Sequence, residues 1–152
     1  KLSQKLNIPF YELDFYSWQP DWKETDYGVF RNITNELTGK DEWIIDGNYA
    51  RNQDITIPRA ETIIWLDPTH TKSIYRTLKR SVQRAITQEP LWHNNRESFG
   101  RIFSKDSVMI FAFFSNKRKK LKYTRFMNEK FKDKNWVRIK NRKDEKKFWG
   151  DL

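Results

Sequence analysis

Trp43-Ile44-Ile45-Asp46-Gly47-Asn48-Tyr49 runs three apolar residues straight into a carboxylate, a glycine and an amide. An apolar run that stops on an acid reads as a buried strand whose end opens onto a polar edge. The segment Glu61–Asp67, ETIIWLD, has the same form. Near-continuous apolar runs of this kind fit parallel strands covered on both faces better than half-exposed antiparallel ones. Two further strand candidates accompany them, Ile8–Leu13 and Trp136–Lys140.

Helical patterns lie between these strands. Thr25 is placed to cap a helix whose Val29, Phe30, Ile33 and Leu37 share a face and which Gly39 stops. From Thr71, the residues Ile74, Leu78, Val82 and Ile86 recur every four positions until Pro90. A third helix is expected from about Asp106 into a basic region, with Phe111, Phe113 and Phe114 in the core. Strand and helix in alternation imply right-handed crossovers and an α/β layered sheet. With no internal repeat or linker, the 152 residues are expected to form a single domain.

Composition narrows the chemistry. The absence of cysteine excludes disulfides, zinc–thiolate sites and thiol catalysis, and fits a reducing cytoplasm. No apolar run approaches the roughly 18 residues that a membrane span needs, so no membrane partner is expected. The longest, Val108–Phe114, reads as a buried helix segment. Net charge is +10, and its location matters more than its size. Between Lys117 and Lys147 there are 15 basic and 4 acidic residues, whereas the rest of the chain carries 15 and 16. Such a local excess suits a polyanion, either nucleotide, nucleic acid or an anionic surface, although a solvated helix face explains it too.

Two constellations carry chemistry. In open parallel sheets, ligands gather at the carboxyl ends of the strands. Leu13-Asp14, Ile45-Asp46 and Leu66-Asp67 each put an aspartate there, as turn formers or as a group able to hold Mg²⁺ or orient a hydroxyl. On the helix that follows, Lys72, Arg76, Arg80 and Arg84 are spaced by four and make one basic stripe, on a different face from Ile74, Leu78 and Val82. Like charges in a row repel unless an anion sits among them, and arginine suits bidentate phosphate contact. A solvent-facing row and a nucleic-acid face remain the alternatives. His70 and His93 are too isolated to form a metal or catalytic pair. Trp18 and Trp22, four apart, suit packing or stacking on a base.

In order along the chain, several segments resemble one family. They are Ile8-Pro9 through Glu12-Leu13-Asp14, then Trp18, Pro20 and Trp22, Trp43 to Tyr49, Pro58-Arg59-Ala60, Ile64 to Asp67, Arg76 to Arg80, and Leu91-Trp92 with Asn95 to Ser98. The set looks like the adenylate-kinase-related proteins called DNA topology modulation proteins, over nearly the whole chain. The resemblance implies a P-loop nucleoside-triphosphate fold, a three-layer architecture with helices on both faces of a central five-stranded parallel sheet. It implies ATP and Mg²⁺ as cofactors, transfer of phosphate to a small molecule or nucleotide, and a lid over about residues 76–100. Asp46 would hold the Mg²⁺ water shell. Arg76 would stack on adenine, Arg80 would reach phosphate and Arg84 would extend the catalytic row, with Asn141 beside the nucleotide. Asp14, Gly47, Asn48, Arg51 and Arg59 would face the acceptor. Both groups would look into one cleft. The family's name also suggests a nucleic-acid role, for which residues 117–147 supply charge and Tyr123, Phe126 and Trp136 supply rings.

One element of the family is missing. A phosphate loop needs Gly-x-x-x-x-Gly-Lys followed by Ser or Thr, because glycines let backbone amides wrap a phosphate. No pair among Gly28, Gly39, Gly47, Gly100 and Gly150 has that spacing. Lys1–Leu6 aligns with the helix just beyond the loop, so the first strand and the loop are expected ahead of Lys1. The competing expectation is a chain that pairs differently, with a second copy of itself as a homodimer. These 152 residues alone are not expected to bind ATP tightly or to transfer phosphate.

Overall fold

The computed structural model describes residues 1–102 and 118–152. The helix expected from Asp106, the Val108–Phe114 run and its phenylalanines lie outside the described residues. Contacts divide the chain into two units, Lys1–Ala60 with Pro90–Asn95, and Glu61–Glu89 with Arg96–Leu152.

The first unit is built on β1 (Phe10–Glu12) and β2 (Ile44–Asp46), which pair in parallel with Tyr11 beside Ile45 and Glu12 beside Asp46. Helix α1 (Leu2–Leu6) precedes them and ends on Asn7 in the left-handed region, which asparagine tolerates. Helix α2 (Leu13–Ser17) starts directly on the carboxyl end of β1, so Asp14 sits in a helical first turn rather than on a strand tip. The crossover between the strands is α3 (Tyr27–Thr38), and α4 (Gln53–Arg59) follows β2. The core is Leu13, Phe30 and Leu37, with Tyr11, Tyr16, Ile33, Ile45 and Tyr49 packed against it. Burying a side chain such as Leu13 or Phe30 contributes about 1.5–3 kcal/mol.

Helix α3 differs from the sequence reading in two respects. Its cap is Asp26, whose carboxylate accepts the Val29 N–H at 3.1 Å. Thr25 is buried instead, and its hydroxyl donates to the Tyr16 carbonyl at 2.8 Å. The buried face is Phe30, Thr34, Leu37 and Thr38, and Val29 is exposed. Two threonines can lie there because each hydroxyl donates back to a carbonyl four residues earlier, at 2.8 Å. Buried Asn52 donates from Nδ2 to the Thr34 Oγ1 at 2.6 Å and ties α4 to this face. Gly39 closes α3, as the sequence suggested.

In the second unit, β3 (Thr62–Leu66) and β4 (Asn135–Ile139) pair in parallel, with Trp65 beside Arg138. Helix α5 (His70–Thr87) follows β3 and stops at Gln88 in the left-handed region, two residues before Pro90. Its buried positions are Ser81 and Ala85, flanked by half-buried Ile74, Leu78 and Val82. Ile86, expected on the apolar face, is exposed. The buried stripe is thus narrower and made of smaller side chains than the four-residue apolar spacing implied. Helix α6 (Phe99–Ile102) comes next, then helical residues 118–125 (α7), a π-turn at Phe126–Lys130, and α8 (Arg142–Gly150) after β4.

All four expected strands are present, the first three shorter than their expected spans and β4 displaced by one residue, and all pair in parallel. The chain is therefore α/β. Among the described residues they form two separate two-stranded sheets rather than one continuous sheet.

Gly47 is the residue on which the first unit turns. Its φ of 137° is a conformation L side chains rarely adopt, and a Cβ there would lie 2.7 Å from the Leu13 Cβ. Strain of both kinds adds, so Gly47→Ala is expected to destabilise the fold by about 2–4 kcal/mol, read as a lower urea midpoint with an unchanged slope.

Candidate functional site

The carboxyl ends of β1 and β2 lie side by side because the strands are parallel and in register. Two chain segments leave this edge. One is α2, with Asp14 in its first turn, and the other is the loop Gly47-Asn48-Tyr49 leading to α4. The close packing of Gly47 on Leu13 brings the segments together. Tyr49 completes the join, its hydroxyl donating to Asp14 Oδ1 at 2.5 Å. The Ser17 hydroxyl, buried at the end of α2, also hydrogen-bonds to Tyr49. Burial, reinforced by the Asp14 carboxylate, pushes the Tyr49 phenol far above its ordinary value. Tyr49 is therefore a neutral donor that fixes the orientation of one Asp14 oxygen.

Arg51 stands next to this pair. Its guanidinium lies over three rings, at 5.2 Å from Phe30, 5.8 Å from Tyr27 and 5.9 Å from Tyr49. Its carboxylate partner is Glu24, at 3.5 Å. Its Nε is buried with no hydrogen-bond partner. Nearby Arg31 is fully engaged, gripping Asp54 through two parallel hydrogen bonds of 2.9 and 2.7 Å and also donating to the Arg51 carbonyl. The Arg31 guanidinium holds the Asp54 carboxyl below the usual carboxylate range.

Residues 90–95 close the other side of the edge. The Trp92 indole N–H donates to Glu12 Oε2 at 2.8 Å, and the His93 ring packs on Phe15 with its Nε2 against the Phe15 carbonyl. Buried Asn95 accepts from the Trp22 N–H at 2.8 Å and donates to the Gln19 and Trp92 carbonyls. Trp22 meets Trp18 and Trp92 edge to face. Asp21, Trp22, His93 and Asn94 all have positive φ, so these two facing turns are strained together. Trp18, Trp22 and His93 thus have packing roles, in line with the sequence reading.

The remaining site candidates fall as follows. Asp46 is exposed at the end of β2, in register with Glu12. Asn48 accepts from Gln53 Nε2 at 2.6 Å. Arg59 reaches the Asn35 carbonyl, the Asn35 side chain and the Thr38 hydroxyl at 2.7–2.9 Å, which occupies it at the carboxyl end of α3. Asp14, Asp46, Gly47, Asn48, Arg51 and Arg59 all belong to the first unit, whereas Asp67, Arg76, Arg80, Arg84 and Asn141 belong to the second. Asp67 directly follows β3 and is held by Arg138, whose Nε and Nη2 both donate to Oδ2 at 2.9 and 2.5 Å. Asn141 caps α8, accepting from the Lys143 and Asp144 N–H groups. Lys72, Arg76 and Arg80 are exposed along α5 and Arg84 is half-buried. Among the described residues, no carboxylate lies within ion-pair distance of Arg76, Arg80 or Arg84. Among the described residues, no three His, Asp or Glu side chains group in a way that could hold a metal, and no helix is long and apolar enough to cross a membrane.

Sequence reasoning gave Tyr49, Glu24 and Trp92 no role in the site. Tyr49 lay inside the opening motif, but only the contact between two strand ends shows what its hydroxyl does. Glu24 and Trp92 carry no spacing signal at all.

An alkaline titration tests the Tyr49–Asp14 bond. In Asp14→Asn the Tyr49 phenol is expected to ionise at lower pH than in the wild type, while staying above an ordinary tyrosine because burial persists. Ultraviolet difference titration, with Tyr49→Phe as the subtraction control, reads the shift. An unchanged midpoint would show that the carboxylate does not act on Tyr49.

Searches against protein-family models, curated proteins and solved structures returned no match for this chain.

Proposed function

We propose that this chain carries the acceptor-binding edge and the arginine-bearing helix of an ATP-dependent kinase of the adenylate-kinase-related P-loop type, acting on a small molecule or nucleotide. One observation carries the reading. At the carboxyl edge of a parallel strand pair, Tyr49 hydrogen-bonds to a carboxylate, Asp14, and a ring-flanked guanidinium, Arg51, lies over the Tyr49 ring at 5.9 Å. A carboxylate suits activation of an attacking hydroxyl and a cation suits an anionic acceptor. The strand pairing also supports it. A five-stranded parallel sheet lacking its middle strand would leave two parallel pairs, and two parallel pairs are what the described residues form.

The donor set fits Mg²⁺ through Asp46. It is an exposed hard-oxygen ligand beside Glu12, and Mg²⁺ commonly takes only one or two carboxylates and fills its octahedron with water and phosphate oxygens. Mg²⁺ and ATP would supply the transferable phosphoryl group and neutralise its charge. Asp14 accepts the proton of the acceptor hydroxyl on the oxygen that Tyr49 leaves outside its hydrogen bond. Arg51 orients the acceptor's anionic group, and Arg76 and Arg80, in the second unit, are the residues that would hold the phosphates of a bound nucleotide.

Calorimetry on a polypeptide carrying a Gly-x-x-x-x-Gly-Lys-Ser/Thr segment ahead of Lys1 is the test. Mg²⁺-dependent ATP binding is expected, weakened about tenfold to a hundredfold by Arg80→Ala, with Asp46→Asn removing the Mg²⁺ dependence. Absence of Mg²⁺-dependent binding in that polypeptide sinks the kinase reading.

A second reading, nucleic-acid binding, rests on a groove in the second unit lined by Leu121, Lys122, Arg125, Phe126, Glu129 and Lys130. Lys122 and Lys130 both lie over the Phe126 ring, and Leu121 is exposed. Tyr123 is half-buried beside Trp65, and the Trp136 indole donates to the Phe131 carbonyl, which leaves Phe126 as the ring placed in this groove. If this surface binds duplex DNA, affinity falls steeply with salt, and Lys120→Glu with Lys122→Glu reduces the log–log salt slope by about 0.9 for each phosphate that is no longer neutralised. Indifference to both salt and substitution excludes it.

A further inference from the structure

Arg51 is the arginine of the first unit whose partners do not match its capacity. Arg31 has a two-pronged carboxylate partner and Arg59 has three oxygen acceptors, all within 2.9 Å. Arg51 has a buried Nε without an acceptor and a single ion pair to Glu24 stretched to 3.5 Å. That distance is at the outer limit of a hydrogen bond, and such a contact between exposed groups holds weakly. The Glu24 side chain is 63% exposed, against 31% for Arg51, so the acid approaches from solvent. Glu24 is also set in a short antiparallel bridge to Trp18, just before α3, in the segment that Asn95 ties down. Its backbone is therefore fixed while its side chain is exposed.

The rings decide what could replace Glu24. Tyr27 is half-exposed and lies between two guanidiniums, with Arg31 and Arg51 both over its ring at 5.7 and 5.8 Å. Asp54 neutralises Arg31, so the charge on offer is that of Arg51. Rings flanking a guanidinium exclude water from its faces and leave its edge as the route for an acceptor. A phosphate monoester has three oxygens to offer that edge, where a single glutamate oxygen now makes a long contact.

We propose that Glu24 is an internal stand-in for a phosphate-bearing ligand, occupying the anion position at Arg51 and giving way when the phosphate of a phosphate monoester binds there. This rests on the reading of Arg51 as part of the acceptor edge, where the family resemblance already implies an acceptor phosphate, and what it adds is the role of Glu24: the empty site is closed to weaker anions by its own acid. A carboxylate ligand gains little by exchange with Glu24, whereas a dianion gains charge and oxygens, so the latch selects phosphate esters.

The test uses the 152-residue chain and phenyl phosphate, with inorganic phosphate as the ring-free control. Titration is followed by the ¹⁵N–¹H signal of the Arg51 Nε–H, assigned by its loss in Arg51→Lys. A saturable shift is expected in the wild type. In Glu24→Gln the half-saturating concentration is expected to fall about two- to fivefold, the equivalent of losing one exposed ion pair. Acetate is expected to shift the signal in Glu24→Gln more readily than in the wild type. An equal or higher phenyl phosphate midpoint in Glu24→Gln, with Glu24→Ala behaving alike, overturns the stand-in role. So does a titration that never moves the Arg51 signal in any variant. Neither ATP nor an acceptor hydroxyl is required, so a kinase reading that fails by calorimetry leaves this result free to stand, and an unchanged Glu24→Gln midpoint leaves phosphotransfer open.

Discussion

The contact between Gly47 and Leu13 sets the geometry of the first unit. Leu13 is almost wholly buried, and it begins α2 at the point where β1 ends. Gly47 begins the loop that leaves β2. Only a residue without a Cβ, and free to adopt φ of 137°, lets these two exits run against each other. The consequence is chemical as well as structural. Two residues beyond Gly47, Tyr49 arrives within 2.5 Å of Asp14, and four residues beyond it Arg51 arrives over the Tyr49 and Phe30 rings. The glycine of the Asp-Gly pair thus acts through packing, and no direct contact with a ligand is needed to explain it.

The two sheets are short, and each depends on what covers it. A pair of parallel strands has few backbone hydrogen bonds and little stability by itself. In the first unit, Tyr11 and Ile45 are neighbours across the pair and both press on the Leu13–Phe30–Leu37 cluster. In the second, Trp65 is buried under the Arg138 guanidinium, 4.1 Å from the ring centre, and the Tyr123 ring at 5.6 Å. Asp67 fixes Arg138 in that position and its own N–H donates to the Ile139 carbonyl. An acid at a strand end can therefore be a fastening for the sheet. Asp67 is one, at the end of a run whose form, Trp-Leu-Asp, is like the Ile-Ile-Asp that ends in Asp46.

That pair of aspartates shows where sequence reading succeeds and where it stops. The sequence pattern revealed all four strands, and in Trp43–Asp46 and Glu61–Asp67 it also revealed their parallel sense, because continuous apolar character is a one-dimensional signal. Gly39 marked a helix end for the same reason. What was hidden depended on partners distant in sequence. Nothing near Asp67 announces Arg138, 71 residues later. The choice of Asp26 over Thr25 as a cap followed from the need of the Tyr16 carbonyl for a donor. Helix α5 was legible in its extent, yet its buried residues are Ser81 and Ala85, small side chains that periodicity in large apolar residues overlooks. Asn141 and Arg59 carry polar groups suited to ligands, and both are engaged with helix ends.

The distribution of partners among the arginines separates fold from function more sharply than their positions in the sequence do. Arg31, Arg59 and Arg138 each make two or more short hydrogen bonds to protein oxygens. A guanidinium so engaged has little capacity left for a ligand, and removing it would leave acceptors unmet, so these three hold the structure. Arg51 makes one long ion pair, and Arg76, Arg80 and Arg84 have no carboxylate within ion-pair distance among the described residues. The stripe on α5 also sets like charges four residues apart, which costs helix stability and gains nothing from the fold. Asp67, at the end of the strand before this helix, is committed to Arg138, and the proposed nucleotide-binding role of the stripe would supply the anion that relieves its repulsion. In the first unit, the 3.5 Å ion pair of Arg51 with Glu24 is the contact that the proposed phosphate ligand would replace.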